Sequence, residues 1–159
     1  MSKQIFFNED ARLKLKAGAD AVANAVKVSL GCSGKTVVIS HYYMDSPTVT
    51  KDGYTIAKHV NVTDEVENVG AEMMKSVSAK TVEEAGDGTT TATVLAQAIL
   101  SEGLKMVAAG SNSMDIKRGM DKAVSAVVAE IAEMAIKIGD DNDLIKSVAT
   151  VSANNDSEM

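Results

Sequence analysis

The sequence has few of the residues that form disulfide bridges and zinc sites. Cys32 is the single cysteine among 159 residues, which excludes an internal disulfide framework. The two histidines, His41 and His59, lie far apart in the chain, so the sequence does not predict a zinc site. A chain without disulfides suits a reducing compartment, and we therefore expect a cytoplasmic protein.

Long apolar segments and an excess of basic residues are also missing. No apolar run approaches membrane-spanning length, and charges between Met1 and Lys14 interrupt the stretch that a secretory signal would need. The net charge of -6 argues against nonspecific binding to nucleic acid or to anionic membranes. Proline occurs once, at Pro47, and the chain has no linker, low-complexity segment or internal repeat. We expect a soluble, unexported protein with one domain-sized core.

Apolar residues recur at helical spacing along most of the chain, which predicts a mainly α, multihelical fold. The predicted helices begin near the following residues: Asn8, Tyr54, Thr63, Thr89, Asn112 and Leu144. In the first helix the predicted buried stripe includes Ala11, Leu15, Ala19, Val22, Val26 and Leu30. In the third it includes Val66, Val69, Gly70, Met73 and Val77. Asp64, followed three residues later by Glu67, has the spacing of a capping box at the start of that third helix, and Gly86 is predicted to end it.

The two helices that follow are also predicted to bury apolar residues. The helix after Thr89 has little charge as far as Leu100, which indicates a central, mostly buried position. Its apolar residues are Val94, Leu95, Ala98, Ile99 and Leu104. The stripe of the next helix comprises Ile116, Met120, Ala123, Val127, Ile131 and Met134.

Two short segments have the composition of β-strands and predict a small hairpin. They are residues 35–40 and 48–50, and a turn at Asp45, Ser46 and Pro47 separates them. Ile5, Phe6 and Phe7 form a third apolar run, which is interpreted as a short strand. An unpaired strand leaves its backbone groups unsatisfied, so this run is expected to pair with a strand of this chain or of a neighbouring copy.

The stretch from Gly86 to Thr93 has the strongest functional signal. Its two glycines beside Asp87 allow a sharp turn and a close approach of the backbone to a ligand, and its threonines open a new helix. The first turn of a helix stabilises an anion through its unpaired N–H groups and its dipole. Because a carboxylate repels phosphate, Asp87 suits such a site when magnesium bridges the two. In the alternative interpretation, Asp87 is only an N-cap.

Residues 51–53 and 34–36 each have a structural and a functional interpretation. Lys51, Asp52 and Gly53 can form a solvated turn, whereas in a nucleotide site Asp52 would orient water and Lys51 would lie against phosphate. Residues 34–36, Gly-Lys-Thr, resemble the end of a P-loop. However, Ser29 stands where that motif needs glycine, and this loop joins a helix to a strand rather than a strand to a helix. We therefore do not expect a P-loop kinase or GTPase.

Several blocks of the sequence resemble the N-terminal part of the group I chaperonin family, the 60 kDa chaperonins. The blocks that resemble the nucleotide-site motifs are residues 25–31, 47–53 and 85–97, and residues 114–119 and 151–154 match as well. They occur in the family's order over essentially the whole chain. The resemblance implies a partial chaperonin equatorial domain in residues 1–134 and the beginning of the intermediate domain in residues 135–159.

The resemblance also implies a site for ATP, Mg²⁺ and K⁺. The cofactor-binding residues that it implies are Ser29, Leu30, Gly31, Lys51, Asp87, Gly88, Thr89, Thr90 and Thr91. Asp87 would be the magnesium ligand, Asp52 would be the catalytic acid that positions the attacking water, and K⁺ would lie near Ser29 and Lys51. Where the family reads Leu-Gly-Pro-Lys-Gly, residues 30–34 read Leu-Gly-Cys-Ser-Gly, and the missing lysine implies weaker nucleotide binding. Cys32 in that loop is either a reactive thiol or an inert substitution.

The function that the resemblance implies is that of an ATP-dependent protein-folding chaperonin, whose ATPase acts in rings of identical subunits. Family members continue well beyond residue 159, and we expect contacts with unfolded polypeptides and with a co-chaperonin to lie in regions absent from this sequence. We expect no nucleic-acid or membrane partner. The alternative is an inactive fragment that serves only as a helical oligomerisation module, in which residues 5–7 add to a neighbour's hairpin.

Overall fold

A computed structural model describes residues 5–41 and 46–153 of the chain. The chain divides into two compact units, Met1–Ala108 and Ala109–Met159. The described residues form six α-helices and one two-stranded antiparallel hairpin, so the predicted mainly α fold is confirmed. None of the described helices is both long enough and apolar enough to cross a membrane. The division into domains at residue 134 stays a prediction.

The described residues of the first unit form four α-helices, one 3₁₀ helix and the hairpin. Its elements are α1 (Asn8–Val26), a 3₁₀ helix (Lys27–Ser29), β1 (Val37–Ile39), β2 (Thr48–Thr50), α2 (Gly53–His59), α3 (Glu65–Ala85) and α4 (Thr89–Ala108). Val38 pairs with Val49 at the centre of the hairpin, which confirms the predicted pairing of the two strands. The predicted turn residue Asp45 lies outside the described residues.

The second unit contains two helices, α5 (Ser113–Met134) and α6 (Asn142–Ser152). Their N-caps are Asn112 and Asp141, whose side chains accept hydrogen bonds from N–H groups of the first turn. Gly139 has a left-handed backbone, with φ 56°, between the two helices. No residue of α5 is buried. Its predicted apolar stripe is exposed in this structure apart from Ile116, which is half-buried.

The run Ile5-Phe6-Phe7 does not form a strand in the described part of the chain, so of its two predicted partners, a strand of this chain is not observed. Phe7 is extended, with φ -130° and ψ 157°, and directly precedes α1 without making a side-chain cap. The apolar pattern misleads because a strand also needs a partner edge, and the two hairpin strands pair with each other. Pairing of this run with a neighbouring copy stays a prediction.

The core of the first unit lies where α1, α2 and α3 meet. Ala19, Val22 and Val26 of α1 are buried as predicted, whereas Leu30 lies beyond the end of that helix and is 44% exposed. In α3 the buried face is displaced by one residue from the predicted stripe. It consists of Gly70, Ala71, Met74 and Ser78, while Val69 and Met73 are more than half exposed.

Small residues determine which face of α3 is buried, because two backbones approach closely there. A Cβ atom added to Gly18 would lie 2.6 Å from the carbonyl carbon of Glu67, and one added to Gly70 would lie 2.7 Å from that of Leu15. The two glycines thus let α1 and α3 cross nearly in backbone contact. The larger apolar side chains of α3 instead line a cavity of about 250 Å³ between α1, α3 and α4.

The predicted burial of α4 is only partly correct. Thr89 and Thr93 are buried, whereas Leu95 and Ile99 are 56% and 52% exposed. Short hydroxyl side chains therefore face the core at the start of this helix. Among its large apolar residues, Leu100 packs against the core, whereas Leu95 and Ile99 do not. Low charge alone did not distinguish these two faces.

The start of α3 is fixed by an acidic cap that also forms an ion pair with α1. Asp64 accepts hydrogen bonds from the N–H groups of Val66 (2.9 Å) and Glu67 (3.1 Å), as its cap position predicts. Lys14 of α1 donates to the same carboxylate. These hydrogen bonds, that from Lys14 first, hold the pKa of Asp64 below its ordinary value. The ionised carboxylate is thus favoured by folding.

We expect Asp64→Asn to weaken the fold at neutral pH but to have little effect in acid. A carboxyl whose pKa is lowered by folding stabilises the fold above its unfolded pKa, and this stabilisation is lost as the pH falls through the folded value. Asparagine can still cap the helix, so the variant isolates the charge. Urea unfolding at pH 7 and pH 3 tests this. A difference between wild type and variant that is the same at both pH values would contradict it.

Candidate functional site

Three segments that carry predicted site residues meet at the first turn of α4. They are the 3₁₀ helix with Ser29, residues 51–53 and the turn around Asp87. The 3₁₀ helix approaches from one side, where Ser29 Oγ lies 3.3 Å from Thr90 Oγ1. Ser29 Oγ also donates to the carbonyl oxygen of Val26 at 2.8 Å, so the hydrogen between the two hydroxyls comes from Thr90. The remaining lone pairs of Thr90 Oγ1 are then available to a cation or to a donor.

The start of α2 approaches the same turn. A Cβ atom added to Gly53 would lie 2.8 Å from both Thr89 Oγ1 and the backbone nitrogen of Thr90. No ordinary side chain fits in that space without a displacement. Glycine at this position therefore allows the 51–53 segment to reach the helix start. Gly53 could be identified in the sequence, but its contact with Thr89 and Thr90 could be seen only in the structure.

We expect Gly53→Ala to damage both the fold and any ligand site at the start of α4. The added methyl group pushes α2 away from Thr89 and Thr90, and overpacking of this kind costs about 1–3 kcal/mol of unfolding free energy. We also expect ATP to bind about tenfold more weakly, equivalent to roughly 1.4 kcal/mol. Urea unfolding and calorimetry measure the two effects.

Gly103→Ala is the matched control for Gly53→Ala. Gly103 lies within α4, and an added Cβ would meet nothing within 4 Å. We expect this variant to bind ATP as the wild type does. Equal binding by Gly53→Ala and wild type would show that the approach of α2 to α4 does not contribute to the site.

The loop before α4 forms the predicted sharp turn. Gly86 and Gly88 have φ values of 76° and 85°, a left-handed conformation that favours glycine. Asp87 is exposed between them, and its Oδ1 accepts a hydrogen bond from the N–H of Gly88 at 2.6 Å. The N–H that donates this hydrogen bond belongs to Gly88, which precedes the first residue of α4, Thr89. Asp87 thus lies one residue before the N-cap position of α4, and its role as a magnesium ligand stays a prediction.

Buried hydroxyls attach the beginning of α4 to α3. Thr93 Oγ1 donates to the carbonyl oxygen of Thr89 at 2.8 Å and lies 3.3 Å from Ser78 Oγ. All three residues are at most 5% exposed. Ser78 was not predicted from the sequence, where its only signal is its small size on the helix face toward α4. These contacts hold the exposed Thr91 and half-buried Thr90 on a fixed support.

Asp52 is held firmly at the start of α2, of which it is the N-cap. Its Oδ2 accepts hydrogen bonds from the N–H and the hydroxyl of Thr55, at 2.8 and 2.6 Å. Its Oδ1 accepts only a long hydrogen bond, of 3.4 Å, from the N–H of Tyr54. A carboxylate oxygen has two lone pairs, so Oδ1 keeps the capacity to accept a proton or bind a water. Thr55 was not recognised from the sequence as a residue that positions Asp52.

The loop after the 3₁₀ helix turns back on itself. Gly31 has φ 74°, and Lys35 N–H donates to the carbonyl oxygen of Val28 at 2.8 Å. Gly31, Cys32 and Leu30 are exposed. The loop leads from a helix into β1, so the strand-to-helix context that a P-loop requires is absent from residues 34–36. Lys51 is exposed after β2, and its place in the site stays a prediction.

Comparison with known proteins identifies the family. The model of the TCP-1/cpn60 chaperonin family matches residues 22–159. The chain therefore belongs to this family, as the sequence motifs indicated.

Two solved structures support the same assignment. One is the chaperonin gp146 from the bacteriophage EL 2 (Pseudomonas aeruginosa) in the presence of ATP-BeFx, with 29% identity and a TM-score of 0.73 over 93% of this chain. The other is a group III chaperonin in the open state, with 29% identity and a TM-score of 0.75 over 93% of this chain. The chain spans 26% and 29% of these two proteins, respectively. The finer assignment to group I stays a prediction.

Proposed function

We propose that this chain supplies the N-terminal part of the nucleotide-binding equatorial domain of an ATP-dependent protein-folding chaperonin, and that it binds Mg-ATP at the start of α4. The observation that carries the proposal is the meeting of Ser29, Gly53 and Thr90 around the free N–H groups of that helix. The chaperonin gp146, described in the presence of ATP-BeFx, supports a nucleotide as the ligand.

The residues at this turn suit a triphosphate. The N–H groups of Thr89, Thr90 and Thr91 and the positive end of the helix dipole would bind phosphate oxygens, since anions are stabilised at helix N-termini. Leu30 and Gly31 lie on the exposed loop that would contact the nucleoside. The long side chain of Lys51 would bring its ammonium group close to a phosphate. The close packing at Gly53 brings the two walls of the site together.

Asp87 would hold the magnesium ion. Its carboxylate is exposed, and the hydrogen bond from Gly88 leaves its other oxygen available, which suits a cation that binds through one or two carboxylates and phosphate oxygens. The ion would neutralise the repulsion between Asp87 and the phosphates and withdraw charge from them. K⁺ would be held near Ser29 and Lys51, where Thr90 Oγ1 offers lone pairs.

Asp52 would act on the attacking water through Oδ1. The hydrogen bonds from Thr55 fix the orientation of the carboxylate before a ligand arrives, so little reorganisation accompanies the reaction. Asp52 would accept a hydrogen bond from the water and orient it toward the terminal phosphate, as positioning residues do in phosphoryl transfer.

Ring assembly and the folding of other polypeptides would need regions that the two similar chaperonins have in addition to the 26% and 29% that this chain covers. We propose identical subunits as its partners, with the β1–β2 hairpin and residues 5–7 contributing to contacts between them. Mass measurement under native conditions tests whether the chain assembles by itself, and a monomer at every concentration would count against contacts made by these residues alone.

Isothermal titration calorimetry of the 159-residue chain with ATP tests nucleotide binding. We expect heat of binding in the presence of Mg²⁺ and much weaker binding when EDTA removes the metal. Lys35→Ala should bind as the wild type does, because Lys35 is not at a helix start. Loss of binding in Lys35→Ala would favour a P-loop site instead. No heat in any titration would favour the alternative function, a helical oligomerisation module without nucleotide.

A further inference from the structure

The two histidines, distant in sequence, are neighbours in the fold. The ring centroids of His41 and His59 lie 5.2 Å apart, with an angle of 73° between the ring planes. His41 follows β1, and His59 is the last residue of α2, so the pair connects the hairpin to that helix. His59 is exposed and His41 is half-buried, so an ion in solution can reach both rings.

Hydrogen bonds hold one nitrogen of each ring and leave the other nitrogen available. His59 Nδ1 lies 2.8 Å from the carbonyl oxygen of Thr55. A carbonyl can only accept, so Nδ1 bears the proton and the neutral ring has its lone pair on Nε2. His41 Nε2 lies 2.9 Å from Thr48 Oγ1, and in the tautomer that donates to this hydroxyl the lone pair lies on Nδ1. A backbone carbonyl that orients one ring nitrogen is the usual support of a metal-binding histidine.

We propose that His41 Nδ1 and His59 Nε2 bind a divalent transition-metal ion such as Zn²⁺, which links the hairpin to α2. Two imidazoles on one tetrahedral zinc ion, with Zn–N distances of about 2.0–2.1 Å, have ring centroids roughly 5 Å apart. The observed separation of 5.2 Å matches that arrangement. The described residues contain no group of three or more His, Cys, Asp or Glu side chains that could hold a metal, so solvent would complete the coordination.

The site is chemically distinct from the proposed magnesium site at Asp87. Magnesium prefers oxygen ligands, whereas imidazole suits zinc, copper and nickel. Zinc binding at the histidines therefore does not depend on the proposed nucleotide site, and either proposal can fail without the other.

Titration of the untagged chain with ZnCl₂ at pH 7.5, followed by calorimetry, tests the proposal. We expect one Zn²⁺ per chain in the wild type and binding at least about tenfold weaker in His41→Gln and in His59→Gln, since each loses one of two protein ligands. Circular dichroism checks that each variant keeps its helices.

Cys32→Ser is the control for zinc binding elsewhere, since Cys32 is an exposed thiol. We expect it to bind zinc as the wild type does. Wild-type binding in both histidine variants, or loss of binding in Cys32→Ser alone, would overturn the proposal. So would the absence of any heat in the wild-type titration.

Discussion

Replacing Asp87 with alanine is expected to weaken Mg-ATP binding by about 100-fold, equivalent to roughly 2.7 kcal/mol. Asp87 is the carboxylate that would hold the ion between the protein and the phosphates, and in the variant the metal would have no protein anion at this turn. The side chain is exposed and its one hydrogen bond is local, so the fold should be unaffected. Calorimetry with ATP and Mg²⁺ measures the effect.

Asp10→Ala is the matched control for Asp87→Ala. Asp10 is also exposed, and it lies in the first turn of α1 rather than at the start of α4. This variant removes the same charge from the chain and should bind Mg-ATP as the wild type does. Equal weakening in both variants would indicate a general effect of charge. Equal binding of Mg-ATP by Asp87→Ala and by the wild type would show that Asp87 does not contribute to the site.

Gly18→Ala is expected to destabilise the first unit by about 3 kcal/mol, at the upper end of the range for overpacked cores. The added Cβ would lie 2.6 Å from the carbonyl carbon of Glu67 and 2.9 Å from the backbone nitrogen of Ala71. Backbone atoms cannot rotate away as a side chain can, so the whole crossing of α1 and α3 must widen. For a unit of this size we expect the midpoint of thermal unfolding to fall by roughly 15 °C.

Gly103→Ala again provides the control, because its Cβ would meet no neighbour. Alanine is the better helix former, so this variant should gain about 0.5–1 kcal/mol of stability. The two substitutions are chemically identical and differ only in their surroundings. A Gly18→Ala protein as stable as the wild type would show that α1 and α3 do not cross as closely as described.

Local chemistry explains what could be predicted from the sequence. The cap at Asp64, the left-handed Gly86 and the hairpin all depend on residues close together in the chain, and the structure confirms each of them. The buried face of α3 could not be predicted in the same way. Its position depends on how closely α1 approaches, which requires the glycines of two distant segments to meet.

In the candidate site, too, local features could be predicted from the sequence and tertiary contacts could not. The turn around Asp87 could be predicted from its glycines and threonines, because a helix start has the same chemistry in any fold. The role of Gly53 against Thr90, the support from Ser78 and the meeting of His41 with His59 depend on tertiary contacts that no spacing in the sequence encodes. The family resemblance implied that Ser29 and Asp52 share a site with Asp87. It did not show the contacts that hold these two residues in place.

The central claim is that the first turn of α4 binds the phosphates of a magnesium-bound nucleotide. Amide chemical shifts of the isotope-labelled chain, recorded with ATP in the presence of Mg²⁺ and again with EDTA, test it most directly. We predict that the largest shifts belong to the N–H groups of Gly88 to Thr91 and of Gly53, and that EDTA reverses most of them. Shifts centred on residues 34–36, or no shifts when Mg-ATP is added, would contradict the account.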